Sequence, residues 1–241
     1  MTNQPTEIAI VGGGMVGGAL ALGLAQQGFT VMVIEHAAPA PFVADSQPDV
    51  RISAISAASV ALLKGLGVWE AVQGMRSHPY RRLETWEWEN AHVVFDAAEL
   101  KLPLLGYMVE NNVLQQALWQ ALEAHPGVTL RVPASLAALQ RRHDGYALEL
   151  ADGECITPKL VIGADGAIRR FGKWRELAFM PGNMRSRVCL SPSSVKMRQA
   201  TAPGSSLRQR GRAPFCRCSM IGRRWCGMTL RHVFASCRVY R

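Results

Sequence analysis

Residues 7–35, EIAIVGGGMVGGALALGLAQQGFTVMVIE, decide the fold. Glu7–Val11 is a short apolar β run, and the glycines follow it at once. ALALGLAQQ then has helical character and stops at Gly28, a natural residue just past a helix end. TVMVIE, Thr30–Glu35, reads as a second buried strand. Strand, glycine turn, helix and strand thus fit into about thirty residues, the length of a βαβ unit. From Ile8 to Ile34 there is no charged residue, a pattern that a hydropathy window flags as a membrane span. Five glycines between Gly12 and Gly18 break that run, so a soluble strand–turn–helix–strand is expected instead.

Gly12, Gly14 and Gly17 have the spacing G-x-G-x-x-G, and each has a physical task. Gly12 permits a tight turn out of the strand. Gly14 lets backbone come against a pyrophosphate, where a Cβ would collide. Gly17 lets the helix pack closely. The helix N-terminus then offers free N–H groups and a partial positive charge to phosphates. Glu35 stands eighteen residues after Gly17, where an acid accepts hydrogen bonds from ribose hydroxyls and repels a 2′-phosphate. The spacing alone is weak; strand, helix and acid in the right places make it a dinucleotide signature. It does not separate NAD from FAD.

Two later stretches bear on that choice. DVRISAIS, Asp49–Ser56, follows a Pro-rich loop, and Arg51 there either reaches back to a cofactor or lies on a solvated face. KLVIGADGA, Lys159–Ala167, is an apolar strand that delivers Asp165 and Gly166 at its carboxyl end. Ligands of open α/β sheets bind beyond such ends. Alone, the Asp-Gly pair is an ordinary turn.

The middle of the chain supplies candidate elements. RLETWEWENAHVVF alternates like a hairpin around Asn90-Ala91, with Trp86 and Trp88 on one face. Those tryptophans read as sheet packing, with an aromatic pocket as the alternative. NVLQQALWQALEAH has helical spacing and stops before Pro126. VTLRV, LAALQRR and YALELADG read as successive strands, with His143-Asp144-Gly145 as a turn. Residues 1–167 contain no His/Cys/carboxylate cluster with metal spacing and no nucleophile with an identifiable base.

Together, VGGGMVGGALALGLAQQG, VIE, DVRISAIS and VIGADGA resemble the single-component flavoprotein aromatic hydroxylases, with the p-hydroxybenzoate-hydroxylase type of α/β fold. ALLKGLGVWEAV, HPYRRLETWEWE and LLGYMVENNVLQQALWQAL narrow the likeness to the ubiquinone-biosynthesis hydroxylases of bacteria. The resemblance runs through about residues 1–167. It implies FAD held at Gly12, Gly14 and Gly17, with Glu35 on the adenosine ribose. It also places Arg51, Asp165 and Gly166 near FAD and the path of NAD(P)H, the co-substrate. Many relatives carry an Arg three residues before a helical Leu; here Leu114 is preceded by Asn111. The implied domains are a Rossmann-type FAD-binding domain over 1–167, with partial β-rich substrate-domain strands inserted at about 78–110. The implied substrate is a polyprenyl benzoquinol, with peripheral contact at the inner face of the membrane and a ubiquinone-biosynthesis complex as partners. The flavin carries the hard oxygen chemistry, so no catalytic triad is required.

Residues 168–241 differ. Residues 1–167 hold ten lysines and arginines against seventeen acids, a net charge of −7, whereas 168–241 hold seventeen against Glu176 alone, a net charge of +16. The tail also carries Cys189, Cys216, Cys218, Cys226 and Cys237, no sustained period, and no second Gly-Asp motif of the kind the family uses on the flavin. It is expected to be irregular, not natively folded, and to derive from a shifted reading frame of an ancestral gene. Translating the gene in its other frames past the codon for Ala167 tests this. A nucleic-acid arm is a rival reading, since polycations bind phosphate, but no binding module is recognisable and no specific nucleic-acid partner is expected. A metal site at Cys216-x-Cys218, Cys226, His232 and Cys237 lacks the usual zinc spacing. MTNQPTEIAI has no secretory n-region, so a reducing, cytoplasmic setting without disulfides is expected. The alternative to a hydroxylase is a non-catalytic FAD- or NAD-binding remnant, or a dinucleotide-binding domain with a basic nucleic-acid-binding tail.

Overall fold

The computed structural model describes residues 6–86, 92–143 and 145–166, together with strand backbone at 188–193, 204–206 and 225–230. Side chains of residues 85, 86 and 92 and of the three late strands are outside that description. In chain order the elements begin β1 (Ile8–Val11), α1 (Met15–Gln26), β2 (Val31–Ile34), β3 (Ile52–Ser56), α2 (Ala57–Gly65) and α3 (Trp69–Met75). Next come β4 (Ser77–Tyr80), β5 (Arg82–Trp86), β6 (His92–Asp96), β7 (Gly106–Glu110) and α4 (Asn111–Ala124). They end with β8 (Val128–Arg131), β9 (Leu136–Arg142), β10 (Gly145–Leu150), β11 (Cys155–Ile156), β12 (Leu160–Gly163), β13 (Val188–Ser193), β14 (Gly204–Ser206) and β15 (Trp225–Leu230). No described helix is long and apolar enough to cross a membrane.

The chain divides into two units. The first takes residues 1–42, 63–72 and 112–181, and the second takes 43–62, 73–111 and 182–241. The strands expected at about 78–110 fall within the second unit, which also draws on earlier and later segments.

In the first unit a parallel sheet runs β12-β1-β2-β8. Ile8 pairs with Leu160 on one side and Val31 on the other, and Val31 pairs in turn with Val128. IAIV and VMVI are buried at every position, as a strand covered on both faces requires. One face places Ala9, Val11, Met32 and Ile34 against Leu136, Leu148, Leu150 and Ile156 of an antiparallel sheet ordered β11-β10-β9. The alternate residues Ile10 and Val33, fully buried, point the other way. Helix α1 packs on the strands, and Gly18 lets it approach α4: a Cβ there would lie 3.5 Å from the Leu118 Cβ. Helix α1 ends where predicted, with Gly28 at φ +91° donating to the Ala25 carbonyl.

In the second unit β7 lies between β3 and β4, antiparallel to both. Tyr80 and Met108 form its small core with Ile52, Leu83 and Leu105. Strands β5 and β6 are the expected hairpin pair, Trp86 opposite His92. Its turn, Trp88 and the Asp144 turn position lie outside the described residues. Glu110 is the one residue among the described buried ones that carries charge. Its carboxylate meets Arg76 Nη1 at 2.9 Å and accepts the Asp49 N–H at 2.8 Å. Arg76 also donates to the Ala44 and Ser46 carbonyls, so one ion pair anchors the loop before Arg51.

Within 168–241 the described residues are three short strands. Strands β13 and β15 pair antiparallel, and β14 pairs parallel with β5. The sulfurs of the five tail cysteines and the ring of His232 lie outside the described residues. Among the described residues no group of three or more metal-ligating side chains occurs.

Candidate functional site

All four parallel strands of the first unit deliver residues to one cavity at their carboxyl ends. Strand β1 gives Val11, Gly12 and Gly14, and β2 gives Ile34, Glu35 and His36. The chain after β8 gives Ala134, Ser135 and Leu136, and that after β12 gives Ala164, Asp165 and Gly166. The cavity volume is about 410 Å³. A smaller space of about 290 Å³ adjoins the same His36, Ala134 and Ser135. This is where a parallel open sheet places a ligand, because the loops and helix N-termini at that edge diverge and leave a crevice.

The glycine turn is closed by its own backbone. Gly12 has φ +110°, and a Cβ there would sit 2.5 Å from the Ala164 carbonyl carbon and 2.7 Å from the Asp165 nitrogen. A Cβ on Gly17 would strike the Gly12 carbonyl oxygen and come within 3.2 Å of the Ala164 Cβ. Gly17 therefore packs α1 against the turn and the end of β12. Gly14 differs: it lines the cavity, and a Cβ on it would meet nothing within 4 Å. It is also the N-cap of α1, which has no side-chain cap bond and no acid in its first turn. The N-terminus of α1 thus opens beside the cavity with no cap bond or first-turn acid of its own.

Glu35 lines the cavity, but its carboxylate is already bonded to backbone. Oε2 accepts the Gly13 N–H at 2.5 Å, and Oε1 accepts the His36 N–H at 2.7 Å and the Ala37 N–H at 3.4 Å. A carboxylate offers about four lone-pair sites, so one acceptor site remains, on Oε2. Glu35 backbone is fixed too, its N–H to the Arg131 carbonyl and its C=O from the Ala134 N–H. Asp165 and Gly166 stand at the rim, Gly166 with φ +72°.

Arg51 belongs to the second unit. It is exposed, its guanidinium is 3.5 Å from Asp49, and its carbonyl accepts the Asn111 N–H. Asn111 Oδ1 in turn accepts from Ser53 Oγ at 2.6 Å, which commits that amide to β3. The first unit thus brings Gly12, Gly14, Gly17, Glu35, Asp165 and Gly166 together, and Arg51 lies on the other unit.

Four residues escaped the sequence reading. His36 Nδ1 and Ser135 Oγ lie 3.4 Å apart on the cavity wall. Buried Trp119 donates from its indole to the Gly13 carbonyl at 2.7 Å, and Gln115 donates to the same oxygen at 3.1 Å. A Gln and a Trp at i and i+4 share a helix face, but that signal names no target.

The chain is 86% identical over 167 residues to 3-demethoxyubiquinol 3-hydroxylase of Escherichia coli K12, which covers 69% of this chain and 43% of that protein. It is 40% identical over 165 residues to ubiquinone hydroxylase UbiL of Rhodospirillum rubrum, covering 68% of this chain and 38% of that protein. The chain therefore spans less than half the length of these relatives. The crystal structure of Pseudomonas aeruginosa PqsL in complex with 2-aminobenzoylacetate superposes with a TM-score of 0.73 at 18% identity, over 94% of this chain and 60% of that one. That likeness concerns the fold. Residues 5–203 match the FAD binding domain family, past Ala167 into the basic segment, and the chain belongs to that family.

Proposed function

We propose that this chain carries the FAD-binding part of a hydroxylase that acts on a polyprenyl benzoquinol in ubiquinone biosynthesis. One observation carries the reading: a glycine turn whose Gly14 leaves a cavity open beside the N-terminus of α1, which has no side-chain cap and no acid in its first turn. The residues fit a dinucleotide. Backbone N–H groups at the start of α1 suit the pyrophosphate, and the apolar walls Val11, Ile34, Ala134 and Leu136 suit the adenosine. Glu35 accepts a ribose hydroxyl through the acceptor site its backbone bonds leave free on Oε2. Asp165, Gly166 and Arg51 serve the flavin side and the approach of NAD(P)H. When bound, FAD supplies oxygen activation and transfer to the ring; the protein holds, orients and keeps water away. The names of the two ubiquinone-pathway relatives support the substrate class. A polyprenyl substrate calls for an apolar groove and contact with the membrane surface, within a biosynthetic complex. Residues 1–167 form the FAD-binding body, and 168–241, which contain no Gly-Asp stretch, add a shifted-frame segment.

The test is the absorbance of purified chain after FAD titration, with quinol-dependent NAD(P)H oxidation and product mass measured beside it. Weak FAD binding with little hydroxylation is expected, because no second Gly-Asp motif is present in residues 168–241. Binding of neither FAD nor ADP overturns the cofactor assignment. FAD binding without any hydroxylation, in a chain extended to the full length of its relatives, favours the non-catalytic reading.

A further inference from the structure

We infer that Trp119 and Gln115, together with Glu35, clamp the Gly13 peptide and thereby aim the nucleotide turn; this rests on the cofactor reading above. Three consecutive glycines are the most flexible backbone a chain can offer, and ordering them costs more entropy than ordering any other residues. A turn that must present amides to a phosphate needs something to hold it. Neither Trp119 nor Gln115 lines the cavity, so neither is placed to touch a ligand there.

The clamp acts on two adjacent peptide planes. The plane between Gly12 and Gly13 is held through its N–H, which donates to Glu35 Oε2. The plane between Gly13 and Gly14 is held through its carbonyl, which receives both Trp119 Nε1 and Gln115 Nε2. Two donors use both lone pairs of that oxygen. In a trans peptide the C=O and the following N–H point in opposite directions. Pinning the Gly13 carbonyl to α4 therefore turns the Gly14 N–H away from α4. Packing reinforces the bonds: a Cβ on Gly13 would come within 2.9 Å of the Trp119 ring and 3.1 Å of the Glu35 Cβ. Gly13, an unspecified position in the G-x-G-x-x-G spacing, is thus as constrained as its neighbours. Trp119 and Gln115 are positioning residues.

The experiment compares Trp119→Phe, Gln115→Met and the double variant with wild type. A control, Leu118→Ala, removes fully buried packing from the same helix without touching the clamp. Dissociation constants for ADP and FAD are measured by calorimetry, and each variant's unfolding midpoint is recorded. Trp119→Phe keeps most of the ring but removes the donor, and is expected to weaken ADP and FAD alike by about tenfold. Leu118→Ala is expected to lower the midpoint while leaving both constants within about twofold. Unchanged constants in the double variant overturn the clamp. If wild type binds neither ADP nor FAD, the cofactor reading fails, and the clamp is judged by ¹⁵N spectra instead. A slowly exchanging Trp119 indole N–H, and a Gly14 amide resonance that moves in Trp119→Phe, then uphold it. An indole that exchanges at the rate of exposed tryptophan sinks it.

Discussion

The carbonyl oxygen of Gly12 occupies the space that a Cβ on Gly17 would need. The turn and the first turn of α1 are therefore in backbone contact, with no side chain between them to yield. Gly14, two residues from Gly12, has open space where its Cβ would be. The two substitutions should separate stability from binding. Gly17→Ala forces backbone apart and is expected to cost about 1–3 kcal/mol, the range for overpacking. Gly14→Ala has no clash and an N-cap role that alanine fills less well, so its cost is about 1 kcal/mol or less. Its methyl group lies on the cavity side, and FAD affinity is expected to fall by at least about tenfold, as close approach of a phosphate is lost. Urea unfolding and FAD titration of both variants check this. Equal affinity in Gly14→Ala and wild type would remove the turn from the cofactor site.

The Arg76–Glu110 pair yields a prediction within the second unit. Both side chains are largely withdrawn from water, at 14% and 6% exposure. Glu110 also holds the Asp49 N–H, and Arg76 holds two loop carbonyls. Arg76→Met leaves a buried carboxylate without its cation and is expected to cost about 3 kcal/mol, the lower end for such a break. Replacing both, Arg76→Met with Glu110→Leu, removes the stranded charge and should recover part of that loss. A double-mutant cycle by urea unfolding measures the coupling. Strictly additive losses would mean that the two groups do not act as a unit.

The sequence made the local part of this site readable. Gly12, Gly14, Gly17 and Glu35 lie within one βαβ unit, where spacing along the chain becomes spacing in space. Asp165 could be placed because an apolar strand ending in Asp-Gly has one place to go in an open α/β sheet. Trp119, Gln115 and Ser135 could not. Each reaches the glycine turn or its cavity across about a hundred residues, and only the strand order β12-β1-β2-β8 brings them there. Periodicity reports which face of an element is buried, not what it is buried against. Spacing marks Glu35 as a ligand residue; its bonds to Gly13, His36 and Ala37 add a scaffold role that no spacing rule contains.

Arg51 offers a clean test of the flavin-side assignment. Its side chain is 66% exposed, and its pairing with Asp49 at 3.5 Å is a surface contact worth at most about 1 kcal/mol. Arg51→Met is therefore expected to leave the unfolding midpoint nearly unchanged. If Arg51 serves the flavin, FAD affinity falls severalfold while ADP affinity holds. Parallel titrations with the two ligands decide it, and unchanged FAD affinity excludes Arg51 from the site.

Glu7 gives a pH prediction at the opposite, amino end of the sheet. Its carboxylate bonds to Lys159 Nζ at 3.1 Å and accepts the Thr30 N–H at 3.3 Å, tying β12 and β2 to β1. The Lys159 hydrogen bond first, and the Thr30 N–H second, hold its pKa below the ordinary value of 4.5. The unfolded chain therefore takes up the proton at a higher pH than the folded one. Between those two values the unfolded state binds more protons, so stability rises with pH. The contribution is full above the ordinary carboxylate range and is lost as pH falls through the lowered folded value. Thermal midpoints of wild type should thus fall more steeply on acidification than those of Glu7→Gln, with the curves converging at the acid end. The gap should shrink in high salt, since Lys159 is well exposed and screening reaches the pair. FAD affinity at neutral pH should match wild type, because the tie lies at the strand ends remote from the cavity. Parallel acid profiles for the two proteins would show that the Glu7 tie contributes nothing to the sheet.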